Sequence, residues 1–494
     1  MDLSNIDWQS KKLNGLGVYV KFIALFSALC MIPVQLPAQE HFPAAKTLVF
    51  SHVTVIDGTG APPAPDQTVI VDGERIVRIG PARNVPAPRN AQVVDARGLY
   101  LIPGLWDMHV HVWETERAFP MFIANGVTGV RNTGGHLDQL KSWRDQTANG
   151  TLLGPRMIIC GPVVDGPNPS HPDHSIVVHD AEEGRKAVEY LKANGADFVK
   201  VYDGVPRDAY FAIANEAKKR GIPFVGHVPE VISPSEASNA GQASIEHLVG
   251  IVQAVSTKSD EIRAIGAAPV KSPAEYPARI AKQLQLAVEN QTSQRLAELA
   301  ALFVQNHTWQ VPTLAAKKYI AFTNDENLAK DPRLAYFTAA ERERLSPAQN
   351  MFVRFSPPEY WVQRRAEFQV ILSIVTELHR AGVPFLAGTD ADGYSYIYYG
   401  FSLHDELALL VQTGFTPMEA LQAATLKPAQ FLGLADHLGT VTAGKQADLV
   451  LLEANPLDDI RNSHKIRGVV VQGRYLNRAA LDALLSQAKS AASH

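Results

Sequence analysis

The chain has 494 residues, enough at roughly 150 residues per domain for three ordinary domains or one large barrel with an accessory layer. Hydrophobic residues make up 46% and charged residues 19%, a globular balance that excludes a disordered tail protein, a collagen-like repeat and a polytopic membrane protein. The net charge of −4 comes without a Lys/Arg run, which leaves no electrostatic footprint for nucleic acid, and the two cysteines, Cys30 and Cys160, fall in no zinc or disulfide pattern.

Lys11, Lys12 and Lys21 precede a 13-residue apolar run, Phe22 to Val34, followed by the short segment Gln35 to Gln39. The run is too short for a membrane span, which needs about 20 residues. The layout is that of a secretion signal over residues 1–38 with cleavage near Ala38, so a periplasmic or secreted protein is expected. Cleavage there removes Cys30 and leaves Cys160, read as a buried apolar residue.

From Lys46 to Leu101 short alternating strands carry Gly and Pro turns, and the texture returns in ADLVLLEANPLDDI and IRGVVVQGRYL near the end. The two ends, 39–102 and 437–494, are therefore expected to share one small β-sandwich, the latter also carrying a terminal helix, with residues 103–436 inserted between them. In that middle region eight apolar runs can be marked: GLWDMHVHV, GVTGVRNTGG, PRMIICGPVV, DFVKVYDG, IPFVGHVP, ASIEHLVG, TWQVPTL and VPFLAGTDA. Helix-compatible segments such as AEEGRKAVEYLKANG alternate with them, which predicts an α/β fold built on a TIM-like (β/α)8 barrel. The stretches Val252 to Gln305 and Ala315 to Arg380 exceed the barrel's spacing and are read as barrel helices plus helical insertions over the mouth.

In the first run, His109 and His111 alternate with Met108 and Val110, so both imidazoles leave the strand on one face and can chelate a metal. Alone, an HxH is short and frequent, and one core histidine plus one loop histidine explains it at least as well. Lys200 sits in an otherwise apolar strand, where desolvation disfavours the ammonium, so it must either pair or lose its proton and react. His227, His247 and Asp390 stand at the ends of the fifth, sixth and eighth runs, the face on which barrel enzymes place their active sites.

HxH, Lys, His, His and Asp at successive strand ends, with ADLV at Ala447 to Val450, resemble the amidohydrolase superfamily, on the branch of imidazolonepropionase-like and prolidase-like metal-dependent hydrolases. The resemblance implies that His109, His111 and Asp390 bind a more buried divalent ion and that His227 and His247 bind a more exposed one. It also implies that Lys200 is carboxylated, its carbamate bridging the two ions. Zinc is the default, with manganese, iron, cobalt or nickel accepted by the same donors. A lysine held in a salt bridge would instead mean a single-metal enzyme. In such a centre Asp390 is also the catalytic carboxylate, taking a proton from the attacking water and passing it to the leaving group.

Around the mouth, His171 and His174 are candidates for holding a substrate carboxylate, as a histidine of this loop does in dipeptidases of the branch. Tyr202 is placed either to bind substrate or to pack, and Tyr394 and Tyr396 lie in a tyrosine-rich segment suited to an aromatic or apolar substrate group. His404, Glu406 and His307 are read as structural, and Glu246 is expected to point away from the barrel. The sequence His227-Val228-Pro229 departs from several dipeptidases of the branch, which place a tyrosine nearby. The expected activity is therefore hydrolysis of an amide bond, in a dipeptide or N-acyl amino acid. An esterase, lactonase or organophosphate hydrolase on the same site is the alternative, and a non-catalytic binding barrel a remote one. The expected partner is a small molecule or short peptide, not nucleic acid or a membrane, and a homo-oligomer is in keeping with the superfamily.

Overall fold

Strands at both ends of the chain hydrogen-bond into one sheet. In the computed structural model, which describes residues 47–267, 275–346, 348–392 and 395–493, this sheet takes Leu48–Val55, Ala64–Asp72, Arg75–Pro81, Gln92–Asp95 and Tyr100–Pro103 from the N-terminal side. Leu449–Leu452, Ile466–Val471 and Arg474–Asn477 complete it, joined where Leu449–Leu452 runs antiparallel to Tyr100–Pro103. His52 takes a left-handed backbone (φ 60°) inside the first strand. Its first half therefore pairs with Gln92–Asp95 and its second half with Tyr100–Pro103. Alternate residues Phe50, Leu101, Leu449, Leu451 and Val470 turn inward to a shared core, as period-two patterning dictates.

The middle of the chain forms parallel strands separated by helices. Leu105–Val110, Val127–Asn132 and Arg156–Ile159 make a three-stranded parallel sheet. Val163–Asp165, Val199–Val201, Phe224–Gly226, Ser244–Glu246 and Trp309–Val311 continue the order in a second sheet, with Ser175–Val177 added at its edge. The third apolar run is thus two short strands and not one, because Gly161 (φ 76°) turns the chain and Pro162 has no N–H to donate. Asp197 N–H donates to Ile159 O at 2.8 Å across the junction between the sheets.

The eighth run supplies single bridges and no ladder: Gln310 pairs with Phe385 and Val110 with Ala391, both in parallel. Met108 N–H donates to Ala387 O and Leu386 N–H to Gln310 O, both at 2.9 Å. Two glycines allow the close approach that this demands. A Cβ on Gly388 would lie 2.9 Å from His109 Cβ, and one on Gly226 would lie 2.2 Å from Val201 O. Apart from the strand Trp309–Val311, the described residues between 251 and 380 fold mainly into helices that include Ser293–Gln305, Leu314–Phe322 and Pro358–Arg380. Among the described residues no helix is long and apolar enough to cross a membrane. The expected leader, residues 1–38, lies outside the described residues.

Candidate metal centre

The first strand carries His109 into the middle of the barrel with no solvent exposure. Its Nδ1 is 2.6 Å from Glu246 Oε2, so Nδ1–H donates to the carboxylate and the Nε2 lone pair faces inward. That Nε2 lies 3.1 Å from Lys200 Nζ and 3.4 Å from Asp390 Oδ1. His111, just past the strand, brings its own Nε2 to 3.4 Å from the same Asp390 oxygen. His109, His111 and Asp390 each offer one donor atom within 4.8 Å of the others, a spacing that one cation can bridge.

The remaining ligand candidates close the same space. His247 has Nδ1 2.8 Å from Thr313 Oγ1 and 3.9 Å from Asp390 Oδ2, and its ring centroid is 4.4 Å from that of His109 and 5.0 Å from that of His227. His227 donates Nδ1–H to Asp203 Oδ1 at 2.9 Å and stacks on Tyr202 at 4.0 Å. Its Nε2 is buried with no hydrogen-bond partner. A buried lone pair left without a donor is costly, and a cation at that nitrogen would satisfy it. His109 and His227 therefore show the pattern of metal-bound histidine, one nitrogen fixed by a carboxylate of the protein and the other left for the site.

Charge and backbone geometry fit the same use. Burial holds His109 and His247 well below the ordinary histidine range, so both are neutral donors. Burial likewise lowers the Lys200 amine, which is fully enclosed. At Asp390 burial acts upward, but the imidazoles of His247, His111 and His109 outweigh it and hold the carboxylate well below its usual range. His247 (φ 58°) and Asp390 (φ 65°) both adopt left-handed backbone, rare for non-glycine residues and concentrated at functional sites.

Glu246 corrects the expectation that it points outward. It is fully buried, with its two oxygens 2.8 and 2.9 Å from Arg131 Nη2 and a bond from Ser244 Oγ. Alternation fails here because the chain leaves the strand at Glu246, and the left-handed turn at His247 and Leu248 swings the next side chain inward too. Arg131, enclosed between the rings of Phe198 and Phe431, also donates Nε–H to Met108 O at 2.6 Å. Asp107, whose carboxyl burial pushes up to about 7, accepts from Thr389 Oγ1–H at 2.6 Å and so pins the residue before Asp390. Arg131, Asp107, Asp203 and Thr313 were not singled out in the sequence. The lone charge in each of the runs GVTGVRNTGG and GLWDMHVHV was the available signal.

The rim residues divide. His171 Nε2 is 3.4 Å from Tyr202 OH, which ties that loop to the His227 side. His174 lies tilted against Trp113 with ring centroids 4.7 Å apart, and the Trp113 ring in turn lies nearly parallel to His111 at 6.0 Å. Tyr396 donates its hydroxyl to Leu345 O at 3.2 Å and packs on Tyr319, while Tyr394 lies outside the described residues. His404 is buried between Ser463 and Asn125, Glu406 is buried against Ala315 N–H, and His307 is exposed. Cys160 is buried, and burial pushes its thiol to about 12.

Residues 370–476 match the model of the Amidohydrolase family. Imidazolonepropionase of Idiomarina loihiensis is 26% identical over 413 residues, covering 81% of this chain and 88% of that protein. Ochratoxinase of Aspergillus niger is 23% identical over 447 residues, 84% and 83% of the two chains. Among solved structures, bottromycin amidohydrolase superposes with a TM-score of 0.70 at 28% identity over 90% of each chain. A Xaa-Pro dipeptidase with bound methionine gives 0.64 at 21% identity, covering 87% of this chain and all of that one.

Proposed function

We propose that the substrate of this hydrolase of carbon–nitrogen bonds, a member of the amidohydrolase superfamily, is the amide bond of a dipeptide or N-acyl amino acid. His109, His111 and Asp390 would hold one divalent ion, zinc by default, and His227 and His247 a second, with Lys200 as a carbamate between them. The observation that carries this reading is the orphaned Nε2 of His227 beside His247, opposite the His109, His111 and Asp390 donors. Divalent ions there would supply Lewis-acid polarisation of the substrate carbonyl and a water of much lowered pKa.

The protein's own groups would do the rest. A lysine takes up carbon dioxide only as the free amine, the form that burial favours at Lys200. The ionised Asp390 carboxylate would accept a proton from the attacking water and return it to the departing nitrogen. Tyr202, stacked on His227, would offer its hydroxyl to the substrate beside His171. The relatives named as a Xaa-Pro dipeptidase, a bottromycin amidohydrolase and an ochratoxinase support a small-molecule or short-peptide substrate. The basic-then-apolar leader supports export, with a mature start near Gln39 that N-terminal sequencing of the secreted protein would read.

The test is mass spectrometry of a mixed panel of dipeptides, N-acyl amino acids, lactones and aryl esters with the metal-loaded mature protein, beside Lys200→Ala. Amide cleavage lost in the variant is expected. Cleavage of lactones or esters with amides untouched would overturn the amide assignment and move the activity to the esterase or lactonase class.

A further inference from the structure

Asp165 closes the short strand Val163–Asp165, and the loop that leaves it carries His171 and His174. Its side chain is buried. Oδ1 accepts from the N–H groups of Gly166 and Gly204, both at 2.8 Å, and Oδ2 accepts from Ser170 N–H at 3.1 Å. A buried carboxyl group is costly unless donors satisfy it, and here the donors come from two loops. Gly166 and Ser170 belong to its own loop, and Gly204 to the loop after the Lys200 strand. A Cβ on Gly166 would lie 1.8 Å from Gly204 O, and one on Gly204 would lie 2.8 Å from Asp165 Oδ1. The loops therefore meet backbone to backbone, and a side chain at either glycine would part them.

Each loop carries a group of the centre directly beside its hydrogen bond to Asp165. Ser170 precedes His171, whose Nε2 is 3.4 Å from Tyr202 OH. Gly204 follows Asp203, whose Oδ1 accepts His227 Nδ1–H at 2.9 Å. Tyr202 stands between the two: its backbone N–H donates to Val164 O at 2.9 Å, and its ring stacks on His227 at 4.0 Å. From Asp165 a path therefore runs by way of Asp203 to His227 and returns by way of Tyr202 and His171, each step a covalent neighbour, a hydrogen bond or a ring contact. The carboxyl group of Asp165 bonds to backbone amides of the loops and to no ligand candidate among the described residues, so it acts on the centre through them.

We propose that Asp165 is a positioning residue that locks the His171 loop to the Asp203 loop, and so sets the substrate side of the centre and the orientation of His227 together. The proposal rests on the reading of the centre as that of a metal-dependent amide hydrolase. Its test separates the two oxygens. Asp165→Asn keeps Oδ1 for Gly166 and Gly204 but turns an amide NH2 group toward Ser170 N–H. KM for a panel of dipeptides and N-acyl amino acids should then rise about 10-fold, with kcat and zinc affinity within about twofold of the parent. Asp165→Ala releases both loops, so zinc affinity, read by calorimetric titration of the metal-free full chain, should also weaken about 10- to 100-fold. If Asp165→Ala fails to fold, Gly204→Ala, whose Cβ displaces the carboxylate, is read the same way for zinc. Folded variants with parental KM and parental zinc affinity, whatever their loss of Tm, overturn the proposal, and so does a parent that binds no zinc. A parent that binds zinc and cleaves no amide of the panel overturns amide hydrolysis instead, and the zinc titrations then decide the role of Asp165.

Discussion

His109 and His227 each donate Nδ1–H to a carboxylate, at 2.6 and 2.9 Å, but what stands behind those carboxylates differs. Glu246 is wholly enclosed and gripped by the buried guanidinium of Arg131, whereas the Asp203 side chain is 20% exposed and has no buried cation among the contacts seen at it. The first half is a charge-compensated core network in which every member depends on the others. The second is a single pair near the barrel mouth, next to the ring of Tyr202. A low-dielectric interior makes the first arrangement rigid and intolerant of a missing partner, and solvent access makes the second forgiving. The division suits a centre that must fix one set of donors permanently while leaving room for substrate at the other.

Asp390 belongs to both halves, 3.4 Å from His109 and His111 and 3.9 Å from His247, and its loss is expected to have the largest effect. Asp390→Asn should lower kcat by about 10²- to 10⁴-fold, the usual range for removing a general acid–base. Metal content, read by elemental mass spectrometry, should fall far less. A parallel loss of metal and activity would reduce Asp390 to a ligand.

Glu246→Gln strikes the enclosed half. It leaves the Arg131 guanidinium buried and uncompensated, and should cost about 3–5 kcal/mol in a denaturant titration. Asp203→Asn strikes the open half, and should weaken metal binding about 10- to 100-fold while changing stability by no more than about 1 kcal/mol. The contrast fails if the two variants lose similar stability.

The difference between the halves also explains what could be read from the chain. The six ligand candidates were legible because the barrel's repeating strand–helix units fix which residues stand at strand ends, and imidazole, amine and carboxylate are conspicuous inside apolar runs. Tyr202 was legible through alternation from Lys200, and it does stack on His227. Glu246 was misread because alternation holds only within a strand, and the left-handed backbone at His247 lies beyond its end. Asp203 and Thr313 sit just past strand ends and reach the centre only through the folded barrel, and their sequence neighbourhoods carry no period that announces it.

The smallest effect expected concerns the support of the open half. Glu406 is fully buried and accepts Ala315 N–H at 2.7 Å, which fixes the start of the helix that follows Thr313. Burial, aided by the Asp107 and Asp405 charges and opposed by the Ala315 and Leu314 amides, pushes its carboxyl from 4.5 to about 8. Between those values the folded protein keeps a proton that the unfolded chain has already released, so this group's effect is to lower stability as pH rises through that window. Glu406→Gln keeps an oxygen acceptor for Ala315 and cannot ionise. Its Tm relative to the parent should therefore be more favourable at about pH 8 than at about pH 5, by a few degrees in scanning calorimetry. A difference that does not change with pH would mean that Glu406 is charged in the fold, and that the helix holding Thr313 beside His247 is anchored by an anion.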